Sequence, residues 1–482
     1  MALTSEQETI IAQMITAYQN GKRLQDLPAV DGTNPFNLIT HVLDEDGESK
    51  QAKLAALLPY VESQCAYGVI IDSSVSSPTL TRTGSSDLHR SLPIQSRMKG
   101  CLLDDDGNVV EYLNPTTWEG QTRDGSRGQV MVEIPDHYEK FSTVGTQLTA
   151  MMSEYPLPGY HFVPKMYVSA YEATVQRSTN KLASVANTDA DYRGGNNNSA
   201  YDGTYRSFLG CPATQISRTN FRTYARNRKS GSTEWNCMTY DAHKTLYWLF
   251  VIEYATLNSQ AAYNAELTSD GYKQGGLGDG VTTWNGDWNT FNGYYPFVPC
   301  GTTDSLGNGT GVVAYTVDNT DAGGSITKTF NVPRYRGVEN PFGHLWQWTD
   351  GINVRISPTT ANGGDDLSKV FVCSDPANFT DSGYTGYRHA GNEARNDGYV
   401  KTIIGGEYGD IMPTAVGGGS TTYYCDYHYT NIPTSENLRG VLFGGAAHYG
   451  ANAGFACANS YSVPSYTTAR IGSRLCFIPK SA

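Results

Sequence analysis

The chain has 482 residues, more than one small core requires, and reads as one large unit with smaller ones attached. Tyr (33) far outnumbers Phe (15) and Trp (7), and Gly reaches 51; this suits a loop-rich fold and excludes long helical bundles, which want more Leu, Glu and Lys. A formal net charge of -12 argues against nucleic acid or anionic lipid as the main partner, because both demand a basic face.

Residues 1–64 read as a helical segment. Thr4 or Ser5 can cap a helix whose Ile11, Met14, Ile15 and Tyr18 follow at i, i+3, i+4 and i+7, with Gly21 as a stop. A second short helix carries Leu54, Leu57, Leu58 and Val61 at the same spacing. Helices this short need a partner for their apolar stripes, either the body of the chain or another molecule. The amino end has neither a basic n-region nor an apolar h-region, so no signal peptide is expected. No apolar run is long enough to span a bilayer.

Residues 65–145 read as a small β-rich region. Cys101–Leu103 and Val109–Tyr112 flank Asp104-Asp-Asp-Gly-Asn108. That acidic triplet lacks the downstream Glu of a calcium-binding EF-hand and is read as a hairpin turn. Gln129–Ile134 is a further strand, stopped by Pro135. Residues 146–482 form the main domain, of α+β class. Its clearest helix runs from about Asp241 to Ala255 through Leu246–Ile252, apolar nearly all round and therefore internal. Long Gly/Thr/Asn/Asp-rich connections follow, at 270–292 and 301–324, of a length that is usually functional.

Nine cysteines (Cys65, Cys101, Cys211, Cys237, Cys300, Cys373, Cys425, Cys457 and Cys476) never occur as CxxC. They read as reduced, buried small hydrophobes and not as a disulfide or zinc framework. His243, His344, His389, His428 and His448 show no metal-ligand spacing. There is no GxSxG, HExxH, P-loop or post-strand GxGxxG.

Three segments carry a family resemblance. Asn340-Pro-Phe-Gly-His-Leu-Trp-Gln-Trp-Thr-Asp350 resembles the Gly-Asn-Val-Trp-Glu-Trp signature of formylglycine-generating-enzyme-like proteins. Arg439-Gly-Val-Leu-Phe-Gly-Gly445 is similar to the strand that ends in Gly-Gly before that family's site, and Ile471-Gly-Ser-Arg-Leu-Cys-Phe477 to its closing strand. Independently, period-two alternation puts Trp346 and Trp348 on one strand face, as core, and Gly444-Gly445 permits a positive-φ turn.

A narrower likeness lies in residues 441–478. Gly450-Ala-Asn-Ala-Gly454, Pro464-Ser465 and Ile471-Gly-Ser-Arg474, interleaved with Tyr, His, Ser and Asn, resemble the variable region of retroelement-diversified lectin-fold proteins, phage tropism determinants among them. Val130–Lys140 and Gly159–Glu172 resemble stretches of phage tail-fibre proteins.

The resemblance implies a C-type-lectin-like domain of the formylglycine-generating-enzyme type, in a non-enzymatic phage tail protein that binds a bacterial surface receptor, protein or glycan. It also implies a homotrimer, docking to other tail proteins through the amino end, a place in the virion, and no membrane insertion. The contact residues it implies are His448, Tyr449, Cys457, Asn459, Tyr461, Ser462, Tyr466, Thr468 and Arg470, a mixture of rigid aromatic anchors and adaptable polar groups like that of antibody loops.

No cofactor is expected; structural calcium would fall in loops carrying Asp279, Asp287, Asp365 and Asp366. Three readings compete: a structural tail or baseplate protein, a tailspike hydrolase, and a formylglycine-generating-enzyme-like oxidase. The oxidase needs a second cysteine near Cys457, where Asn452, Ala453 and Gly454 stand instead.

Overall fold

The apolar run Leu246–Ile252 fixes the centre of the molecule. In the computed structural model, which describes residues 39–43, 49–53 and 58–480 apart from 193, 197, 199–207 and 319–325, it lies in a helix, Tyr240–Tyr254, buried at every residue but Asp241. Thr239 caps the helix, its hydroxyl accepting from the Ala242 N–H at 3.2 Å, and Ala255 ends it in the left-handed region at φ 49°. A cap of this kind contributes about 1 kcal/mol. Full burial of each Leu, Ile or Phe contributes roughly 1.5–3 kcal/mol, so packing holds this helix more than propensity does.

Around it the chain is mostly β and rich in loops. A five-stranded antiparallel sheet runs in the order His161–Val163, His137–Val144, Gln147–Ser153, Ala66–Asp72, Thr81–Gly84. A six-stranded antiparallel sheet runs Trp235–Cys237, Leu475–Phe477, Met166–Ser169, Gln129–Ile134, Lys99–Leu103, Val109–Tyr112. This sheet is a partition. Val130, Val132 and Ile134 join the core around the helix, whereas Met131, Cys101, Leu103 and Tyr167 face a second core built on Trp235, Trp284, Trp288, Trp346 and Trp348. Period-two alternation between two apolar layers leaves the strand Gln129–Ile134 buried along its whole length.

The largest sheet has nine strands, and at its centre the three segments of the resemblance meet. Trp346–Ile356 pairs antiparallel with Asn437–Gly444, Trp348 opposite Leu442. Along its other edge it pairs in parallel with Ile471–Gly472, Trp346 opposite Ile471. The ladder passes from the Thr349–Val441 pair directly to Asn353–Gly440, so Asp350, Gly351 and Ile352 bulge out, with Gly351 at φ 77°. Three extra residues reverse the strand's faces: Trp346 and Trp348 lie in the second core, Ile352, Val354 and Ile356 in the first.

Arginines on the helix Arg218–Arg226 clamp that bulge. Arg218, wholly buried, donates from Nη1 to the Ile352 carbonyl at 2.7 Å and from Nη2 to Asn353 Oδ1 at 2.6 Å, and pairs through Nε with Asp381 at 2.7 Å. Arg222 Nη2 reaches Asp350 Oδ1 at 2.9 Å.

Several expectations change. The helix placed at 4–20, and Leu54 and Leu57 of the second helix, lie outside the described residues; that helix is observed as Leu58–Cys65. Inside the segment read as helical, Ile39–Leu43 and Ser49–Lys53 form an antiparallel pair. A boundary at 145/146 falls on the turn joining the paired strands His137–Val144 and Gln147–Ser153. The six-stranded sheet also draws strands from both sides of it, so residues 65–145 share their sheets with the main domain. The turn at Asp104–Asn108 is a hairpin turn as expected, with Asp104 Oδ1 accepting from the Asn108 N–H at 2.8 Å. All nine cysteines are buried and unpaired.

Candidate binding site

Where the second core reaches the surface, the carboxyl-terminal strands and loop enclose a cavity of about 430 Å³. Its floor is core: Trp346, Leu442 and Ile471. One wall is the strand Tyr427–Tyr429, which runs parallel to Gly454–Asn459 with Tyr429 opposite Asn459. The other is the loop from Ser460 to Arg470.

Of the nine residues implied as contacts, Tyr449, Asn459, Tyr461, Ser462, Tyr466, Thr468 and Arg470 line this one cavity. His448 stands behind them, its Nε2 3.0 Å from Arg470 Nη1. Cys457 departs from the expectation. The strand Gly454–Asn459 lies between the two cores, so its centre has no solvent-facing side, and Cys457 is completely buried. Burial pushes its thiol well above the ordinary range.

The loop is irregular yet held at many points. The Gly440 N–H donates to the Ser462 carbonyl at 3.1 Å, Arg218 N–H to Pro464 at 3.0 Å, and Gln215 N–H to Thr468 at 3.1 Å. Ser460 Oγ donates to the buried Glu393 carboxyl at 2.7 Å, and Asn459 Oδ1 accepts from the Tyr461 N–H at 2.8 Å. Gly444 and Gly445, both at positive φ, let the chain turn close beneath: a Cβ on Gly445 would lie 2.6 Å from that of Ala453.

On this frame the rings divide into two sets. Tyr399, Tyr427, Tyr429 and Tyr449 form a contiguous edge-to-face and tilted series with centroids 4.6–5.3 Å apart, and Tyr449 meets Trp346 at 5.2 Å. Asn452 fastens the series, accepting from Tyr399 Oη at 2.6 Å and donating to Tyr429 Oη at 2.8 Å. Tyr461 and Tyr466, by contrast, remain 53% and 47% exposed and have little packing to lose.

The electrostatics are local. Arg439 and Arg470 line the cavity with one carboxylate, Asp397, whose Oδ1 accepts from the Thr430 N–H at 2.8 Å. Burial, and then the neighbouring Arg470 charge, lower the His448 imidazole to about 4. It is therefore neutral at pH 7 and accepts from Arg470. Burial likewise lowers the Arg439 guanidinium, and its Nε is buried without a partner.

A second cavity, about 320 Å³, is lined by Phe141, Phe162, Phe379 and Tyr408 with Glu139, Asp241 and Glu407. It contains none of the implied contacts, and its carboxylates are matched at 3.2–3.7 Å by His137, Lys244 and His161.

Of the four aspartates named for structural calcium, two are paired with basic side chains. Asp365 is engaged by Arg355 and Lys369, and Asp366 by Arg395. Among the described residues no group of three His, Cys, Asp or Glu is arranged to hold a metal. No described helix is long and apolar enough to cross a membrane.

Sequence reasoning passed over Tyr427, Tyr429 and Asp397. The alternating Tyr427-His-Tyr429 triplet was the available signal, a strand with one aromatic face. Arg439 and Trp346 stood inside recognised segments as framework and not as lining.

No protein-family model matches the chain, and no curated protein matches its sequence. Among solved structures it is similar to the Major Tropism Determinant U1 variant at 12% identity and TM-score 0.24, covering 92% of this chain and 82% of that one. The M1 variant gives 12% and 0.24 over 93% and 83%, and the P3c variant 13% and 0.22 over 92% and 95%. Superposition at that level is too loose to transfer a fold or a role.

Proposed function

We propose that this chain is a phage tail protein that recognises a bacterial surface receptor through the cavity and loop formed by residues 448–470. One observation supports the reading above the others. Residues from Tyr449 to Arg470, with exposed tyrosines at the rim, converge on a single cavity over a rigid, doubly buried sheet. A preorganised aromatic and polar surface of this kind loses little entropy on binding. The lectin-like resemblance of the three segments that meet at Trp346 is in keeping with it. On this reading the protein is a virion component, its amino-terminal segment docks to other tail proteins, and three copies assemble about one axis.

The oxidase reading loses its chemistry, since Cys457 is sealed between two cores with no cysteine partner. The structural-tail reading is separated by experiment. Purified full-length chain should bind host cells saturably and compete with phage adsorption. A protein that incorporates into tails yet neither binds nor competes is structural. If the segment is diversified, the neighbouring DNA carries a near-copy of the codons for residues 441–478 that differs mainly at adenines.

A further inference from the structure

Two guanidinium groups in the cavity meet no carboxylate among the described residues. Elsewhere Arg222, Arg228, Arg336 and Arg388 each meet a carboxylate, and Arg82 and Arg474 donate to backbone carbonyls. Arg439 and Arg470 have no carboxylate within ion-pair distance among the described residues. Arg470 donates only to the neutral imidazole of His448 and lies over the rings of Tyr294 and Tyr449, at 5.7 and 5.9 Å from their centroids. That arrangement holds the guanidinium against the two rings while leaving most of its five N–H groups unused. In a protein of net charge -12, cations left unmatched in a partly desolvated cavity are expensive unless a ligand matches them.

We infer that the cavity takes an acidic saccharide, its carboxylate held by Arg439 and Arg470 and its sugar ring laid against the tyrosines. This rests on the binding reading above and names its ligand class. Guanidinium and carboxylate match in plane and spacing and form paired, charge-assisted hydrogen bonds. The rest of the lining suits a ring with an apolar C–H face and a rim of hydroxyls. Tyr449 and Tyr466 offer flat apolar faces, while Asn459, Ser462 and Thr468 offer donors and acceptors. The dimensions favour a sugar over a protein partner. A volume of about 430 Å³ falls in the range of roughly 300–1,000 Å³ typical of small-ligand sites, whereas a protein interface spreads over roughly 800 Å² on each side.

The test uses the full-length protein and an immobilised panel of uronic- and sialic-acid oligosaccharides, each beside its carboxyl-reduced neutral form. Binding to at least one acidic member is expected, at least tenfold weaker after carboxyl reduction and weakened by salt. Arg439→Gln and Arg470→Gln should each lose tenfold or more at an unchanged melting temperature, and Arg439→Lys should lie between. Asp397→Asn supplies a gain that misfolding cannot imitate. It keeps the Oδ1 acceptor for Thr430 but removes the only carboxylate in the described lining, so affinity should rise a few-fold. Binding to no acidic member, or equal binding to the reduced forms, overturns the inference. So does host adsorption that protease treatment of the cells abolishes, because the partner is then a protein. If Tyr461→Ala and Tyr466→Ala abolish adsorption while the arginine variants do not, receptor binding stands and the anionic ligand falls; if none of them matters, both fall.

Discussion

The arginines at the bulge and those at the cavity are the same residue type under opposite conditions. Arg218 and Arg222 are buried, and their charges are answered by Asp350, Asp381 and backbone carbonyls. They do structural work, tying the helix to the bulge. Arg439 and Arg470 lie on a cavity wall with no carboxylate partner among the described residues, held in place by rings, a neutral imidazole and the strand beneath. The contrast teaches how to tell a scaffold charge from a recognition charge. The first is saturated by the fold, and the second is positioned by the fold and left open.

Breaking the saturated side should have the largest effect. Arg218→Ala removes the buried donor of the Ile352 carbonyl and of Asn353 Oδ1, and leaves Asp381 to Arg222 and Thr219. Loss of one partner of a buried pair costs about 3–5 kcal/mol, to be read as a fall in urea midpoint.

Next comes the carboxyl that joins scaffold to loop. Glu393, buried, accepts from Ser460 and Thr430, and burial raises it to about 8 against an ordinary 4.5. A raised carboxyl keeps its proton in the folded state while the unfolded chain releases it. Its stabilisation is therefore complete below pH 4.5 and declines as pH rises through that value to about 8. His243 and His448, lowered to about 4 by burial, act in the opposite sense between pH 6.5 and 4. The difference between wild type and Glu393→Gln isolates the carboxyl. The variant should gain roughly 3–5 kcal/mol relative to wild type between pH 4.5 and 8, measured by denaturation across that window. A flat difference would mean that Glu393 is ionised in the fold. Thr239→Ala, which removes the cap of the central helix, should cost about 1 kcal/mol and leave binding untouched.

Much of the scaffold was legible in sequence because it depends on local pattern. The run Leu246–Ile252 declares an internal helix, and Trp346-Gln-Trp348 a strand with one aromatic face. Asp104–Asn108 declares a turn, and Gly444-Gly445 a positive-φ corner. Most of the cavity was legible too, since seven of the implied residues lie in one short segment. What was not legible depends on burial or on distant pairing. Cys457 reads as one more position in a variable stretch until both faces of its strand are seen to be covered. Tyr429 comes to the site through a parallel pairing with Gly454–Asn459, and parallel pairs need long crossovers that leave no local mark. Arg439 and Arg470 could be read as residues, but their lack of carboxylate partners is a property of the packed structure alone. The strand pair at residues 39–53 did carry a turn signal, Asp46-Gly47, between its strands.

The smallest expected change in stability accompanies the most informative change in binding. Tyr461 and Tyr466 stand at the rim, each about half exposed, and surface substitutions of this kind shift stability by no more than about 0.5 kcal/mol. The decisive measurement is host-cell binding by the Tyr461→Ala/Tyr466→Ala double variant, with its melting temperature recorded on the same sample. Loss of cell binding at an unchanged melting temperature is the result this account predicts. Unchanged cell binding, or a melting temperature that falls by many degrees, would contradict it: the recognition surface would then lie elsewhere, or these rings would belong to the scaffold.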